Sequence, residues 1–146
     1  MNTTKLQADV LKVEKAFRTF RSSIDHLPPF DRDLVDDPVA MEPFDALTSR
    51  FERLVELVLS KAVRSLEIHE MGASSPTLRD RVAHGVKRGW LSDVELWMEM
   101  REFRNRIAHD YLPDQLESIY GAIVGRFAAE LSVAVSRLVS YVRGLP

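Results

Sequence analysis

The sequence predicts an all-α protein, an antiparallel bundle of about five helices, on three observations. Apolar residues recur at steps of three and four along most of the chain. Proline and glycine break that pattern at only a few points, and no run alternates with the period of two that a half-buried strand requires. Helices patterned in this way bury one stripe each, and short turns between them set neighbours antiparallel. At 146 residues the chain suits a single helical domain over 1–146, long enough to bury a core and too short for two.

The first helix carries Leu6, Val10, Val13, Phe17, Phe20 and Ile24 on one face, and Pro28-Pro29 stops it. The following stretch, PPFDRDLVDDPVAME, has neither period and reads as an acidic loop over 28–42. Its aspartates lack the fixed spacing of a metal site and read as solvated. Pro43 suits the first turn of a second helix, along which Phe44, Leu47, Phe51, Leu54, Val58, Ala62 and Leu66 continue to Gly72. Ser75-Pro76 reads as the cap and first position of a shorter third helix, which Gly89 closes. Ser92 with Glu95 forms a capping-box pattern for a fourth helix that turns Leu96, Met100, Phe103 and Ile107 inward. Asp114 with Glu117 is an acidic variant of the same cap. From there Leu116, Ile119, Ile123, Phe127, Leu131 and Leu138 carry a fifth helix almost to the C-terminus.

Composition narrows the chemistry. A formal net charge of -2 gives no global attraction to nucleic acid or membrane, so any anion-binding surface has to be local. The absence of cysteine removes disulfides, thiolate zinc sites and a cysteine nucleophile, and fits a cytoplasmic protein. The N-terminal MNTTKLQADVLKVEK is charged every few residues, and no segment approaches the roughly 18 apolar residues of a membrane span. A soluble, unexported chain is the expectation. His26, His69 and His84 have neither mutual i, i+4 spacing nor metal-site partners nearby, so no metal is expected. Trp90 and Trp97 read as packing residues. Dinucleotide, phosphate-loop and nucleophile-elbow patterns are missing, which leaves nucleotide-dependent and triad chemistry without support.

One stretch stands apart. REFRNRIAHDY, residues 101–111, gathers three arginines, an asparagine, a histidine, an aspartate and a tyrosine at the end of the fourth helix. At about 100° per residue, Arg104 and Tyr111 lie nearly above one another, with Asn105 and His109 on the adjacent face. Leu112 precedes Pro113, a position that disfavours helical geometry, so His109 and Tyr111 fall in the final turn. The negative end of the macrodipole there favours a protonated imidazole, and neighbouring arginines can grip a phosphate. By pattern alone, an arginine and a histidine near a helix C-terminus are more often surface or cap residues.

RNRIAHDY is an R-x4-H-x-Y pattern with Asn105 directly after the arginine, and it resembles the signature of the HEPN superfamily, in particular the HepT toxins paired with minimal nucleotidyltransferase (MNT) antitoxins. SRFERLVELV, SSPTLRDRVAHGVKRGWLSD and WMEMREFRNRIAHDY follow the order seen in that family, and the resemblance is strongest over residues 49–111. It implies an all-α fold, a homodimer that brings two motifs together, and metal-independent endonucleolytic cleavage of RNA without a cofactor. Arg104 then stabilises phosphate charge, His109 moves the proton, and Asn105 orients the histidine or binds a phosphate oxygen. Tyr111 positions substrate and is the residue that the nucleotidyltransferase adenylylates. Arg101 and Arg106 are weaker candidates for RNA-backbone contacts, with pairing to Glu99 or Glu102 as the alternative. Glu52 reads as an exposed helical acid more readily than as support for the site. From Arg79 to Arg106 there are seven basic and five acidic residues, a slight positive bias only. Two other readings compete: a non-catalytic partner or substrate-binding subunit of a minimal nucleotidyltransferase, and a purely structural bundle.

Overall fold

The apolar stripes become buried helix faces. The computed structural model describes residues 4–106 and 112–146, and the side chains of all of these except 104–106. Helix α1 spans Thr4–Asp25 and buries Leu6, Val10, Val13, Ala16 and Phe20. Helix α2, Pro38–Leu57, passes through a wide π-type stretch, Val58–Val63, into α3, Arg64–Met71. Helix α4 spans Leu78–Lys87 and α5 Val94–Arg106. Helix α6, Pro113–Ala122, runs through a second π-type stretch, Ile123–Phe127, into α7, Ala128–Arg143. The described residues thus form five helical rods, and they include no strand.

Contacts fix the directions. Lys5 at the start of α1 reaches Ser65 in α3, while Arg50 in the middle of α2 reaches Ser23 near the end of α1, so these rods run antiparallel. Ser92 bonds Glu130, and Phe103 packs edge-on against Phe127 at 4.9 Å, which sets α5 antiparallel to the last rod. Phe51 of α2 stacks on Phe127 with ring centroids 5.6 Å apart, at the centre of the bundle. Trp97, Phe20, Phe51 and Phe127 are completely buried, each a burial of about 1.5–3 kcal/mol or more. Trp90 and Trp97 are both core residues, as the packing reading expects.

Several boundaries differ from those the sequence suggests. Helix α2 begins at Pro38, because Asp37 is extended and accepts from the amides of Val39 and Ala40, and proline suits the position that follows a cap. Pro43 lies inside the helix, where its missing amide leaves one helical bond unmade. The preceding loop is not merely solvated: Phe30 packs on Phe44 and Tyr120, and Arg32 pairs with Asp114 at 2.5 Å. Thr77, not Ser75, caps α4, accepting from the Asp80 amide. Asp93 rather than Ser92 caps α5 through the Leu96 amide at 2.8 Å. At α6, Gln115 accepts from the Leu112 amide, and Leu112 is extended, as its place before proline demands. Gly72 and Gly89 adopt the left-handed conformation at φ 79°, which stops α3 and turns the chain after α4.

Candidate functional site

Helix α5 carries the polar motif, and a buried carboxylate fixes its start. Glu130 of α7 accepts from the Ser92 amide at 2.8 Å, the Ser92 hydroxyl at 2.7 Å and the Trp97 indole Nε1 at 2.8 Å. Glu130 is only 6% exposed, so its charge is carried by these three donors. Met100 is buried one turn further on, and Phe103 follows against Phe127. The capped, clamped and buried side of α5 therefore sets the direction in which its other side leaves the bundle.

That other side is ionic. Arg101 is half-buried and borders a shallow recess with Arg79, Glu95, Met98, Glu99 and Glu102. Arg79 donates to Glu95 at 2.8 Å, and this bond holds the exposed Glu95 carboxyl below its ordinary range. Glu99, offered by the sequence as a partner for Arg101 or Arg106, receives Arg126 through both oxygens, one bond at 2.7 Å. The hydrogen bonds from Arg126 likewise hold Glu99 below its ordinary range. Glu52 borders a separate recess with Ser49, Arg53, Glu56 and Leu57 on α2, which packs on α5.

The backbone of α5 is helical through Arg106, so Arg101, Arg104, Asn105 and Arg106 occupy its last turns. Arg101 and Arg104 are three positions apart and Arg101 and Asn105 four, the separations that place residues on one side of a helix. His109 and Tyr111 lie outside the described residues, as does the final turn expected to hold them. Among the described residues no helix is long and apolar enough to cross a membrane.

Three carboxylates that sequence reasoning passed over are buried parts of the frame. Besides Glu130, Glu67 is completely buried and accepts from Arg81 Nε at 2.9 Å and from the Ser75 amide and hydroxyl. Asp9 accepts from Ser65 Oγ at 2.5 Å and Lys5 Nζ at 3.0 Å. Burial pushes the Asp9 carboxyl up, but these bonds and the charges of Lys5 and Lys12 outweigh it and leave the group below its ordinary range. A signal was available. Asp9 falls three residues after Leu6, and Glu130 three after Phe127, so both occupy core positions of their stripes.

With this geometry in view, a family model described as nucleotidyltransferase substrate binding protein like matches residues 8–140, nearly the whole chain. The chain belongs to this family. The match to the nucleotidyltransferase substrate-binding-like family takes in all five rods and the complete REFRNRIAHDY stretch. No curated protein matches the chain.

Proposed function

We propose that the chain is a HepT-like HEPN ribonuclease, the toxin partner of a minimal nucleotidyltransferase, and that α5 carries its active site. The observation that supports this reading is the intact R-x4-H-x-Y pattern, whose Arg104 and Asn105 fall on an α5 backbone that stays helical through Arg106 and is clamped at its start by Glu130. In the proposed reaction the 2′-hydroxyl of the RNA attacks the adjacent phosphorus and the 5′-oxygen departs. His109 transfers the proton; Arg104 offsets the charge that builds on the phosphoryl oxygens, and Asn105 orients the imidazole or bonds one of those oxygens. Arg101 and Arg106 extend the contact with the backbone. A symmetric homodimer with α5 near its axis doubles the positive charge of the cleft, which the seven-to-five balance of one chain leaves weak.

Control falls to Tyr111. The nucleotidyltransferase transfers adenylate from ATP to its hydroxyl, releasing pyrophosphate, and the added phosphate competes with RNA for the same donors. A second reading is favoured by the description of the family itself: a non-catalytic subunit that binds substrate for a nucleotidyltransferase. Expression with and without the cognate nucleotidyltransferase separates the two. The toxin reading expects growth arrest and RNA fragmentation from the chain alone, relieved by the partner. Intact RNA and normal growth at full expression of folded protein would leave the partner-subunit reading in its place.

A further inference from the structure

We propose that the groove between α1 and α2, whose described lining includes no residue of α5, is a second anion-binding surface that grips the phosphate backbone of single-stranded RNA. For the identity of the anion this rests on the ribonuclease reading. Lys12, Lys15 and Thr19 of α1 and Arg50 and Arg53 of α2 line the groove around Ala16, and its described lining contains no carboxylate. Lys12, Lys15 and Arg53 are exposed. None of the four cations forms an ion pair with a described carboxylate.

The acids of α1 have their direct partners outside the groove: Asp9 bonds Lys5 and Ser65 and meets Lys12 only through its charge, Glu14 pairs with Arg143, and Asp25 with Arg21. Arg50 donates to the Thr19 carbonyl at 3.3 Å and the Ser23 hydroxyl at 2.7 Å. Both partners are neutral oxygens, so the guanidinium is held in place with its charge uncompensated. Four positive charges thus gather on one face of a chain whose net charge is -2.

The spacing suits a repeating anion. Lys12 and Lys15, and again Arg50 and Arg53, are three residues apart on their helices, about 5–6 Å between Cβ atoms. Packed helices lie about 8–10 Å apart, so the cations form two short rows facing one channel. Arginine forks grip phosphate oxygens in pairs, while lysines act as point charges. Arg53 also borders the recess of Glu52 and Glu56, so α2 presents acid on one side and base on the other. The groove supplies backbone affinity that the balanced surface around Arg101 lacks, and it carries no base-reading geometry.

The test is fluorescence anisotropy with a labelled 2′-O-methyl oligouridylate, which lacks the attacking hydroxyl, titrated over a salt series against the full chain. Lys12→Ala with Lys15→Ala should weaken binding at least about tenfold at low salt and lower the salt slope by about 1.4, at about 0.7 per phosphate contact on a single strand. Arg53→Ala should lower it by about half as much. Unchanged affinity and slope in the double variant, or no binding by the unaltered protein, overturns the proposal. Displacement of the RNA by polyglutamate at equal charge concentration would also overturn it, in favour of an acidic protein partner. Cleavage of unmodified RNA is measured in parallel: its absence alongside groove-dependent binding sinks the ribonuclease reading alone.

Discussion

Replacing Glu130 with alanine tests whether α5 is held from its start. The change removes the acceptor for Trp97 Nε1, which is completely buried, and for the Ser92 amide and hydroxyl, which lie at an exposed residue and can turn to water. One buried donor left unsatisfied costs about 1–3 kcal/mol, and the lost charge-assisted bonds from Ser92 add about 1 kcal/mol more. A loss of roughly 2–4 kcal/mol follows, a fall in melting temperature of roughly 5–15 °C for a chain of this size. Urea unfolding followed by far-ultraviolet circular dichroism measures it. In a Trp97→Phe background the buried donor is already gone, so Glu130→Ala should there cost about 1–2 kcal/mol less. A cost below about 0.5 kcal/mol, or an equal cost in both backgrounds, refutes the clamp.

Other perturbations have equally direct readouts. Arg81→Ala strands the completely buried Glu67 with only Ser75 as a donor and should destabilise by about 3–5 kcal/mol in urea unfolding, whereas Glu67→Leu with Arg81→Met should cost less. Burial pushes Glu70 up, but bonds from Arg88 and Tyr141 and the charges of Arg88 and His84 leave its carboxyl below the ordinary range. Its contribution is therefore present above the unfolded glutamate value of about 4.3 and is lost as pH falls through the depressed folded value. Glu70→Gln should flatten the acid limb of a stability–pH profile and leave its neutral-to-alkaline shape unaltered. Co-expression with the cognate nucleotidyltransferase should add one or more adenylates to the chain but none to Tyr111→Phe; intact-protein mass spectrometry checks this, and an increment that persists in the variant rejects the assignment.

The five rods were legible because each apolar stripe is long and its breaks are chemically marked. Gly72 and Gly89, read as stops, adopt the positive φ that glycine tolerates best. The sequence points to a later start for α2 because Pro43 looks like a first-turn proline, while the Asp37-Pro38 pair that opens the helix lies within an acidic stretch. The π-type stretches at Val58–Val63 and Ile123–Phe127 leave the three-and-four steps of the sequence intact, and Gly125, at φ −95° and ψ −106°, departs from helical geometry inside the second of them. Ser92 fits a capping box by its local pattern, yet a carboxylate 38 residues away claims it. Pairings of that kind, including Arg126 with Glu99 and Arg81 with Glu67, depend on which rods meet, and local spacing does not encode that. The candidate site was legible as residue types at helical spacing, whereas the basic groove joins residues from two helices and shows no motif in either.

The most direct test of the ribonuclease reading is cleavage of a short unmodified RNA by the purified chain in the presence of EDTA, with Arg104→Ala and His109→Ala in parallel. The account predicts fragments ending in a 2′,3′-cyclic phosphate from the unaltered protein and a loss of about 10²-fold or more in each variant, with helical content and melting unchanged. Uncut RNA from the unaltered protein, strict dependence on added divalent metal, or unaltered rates in either variant would contradict it.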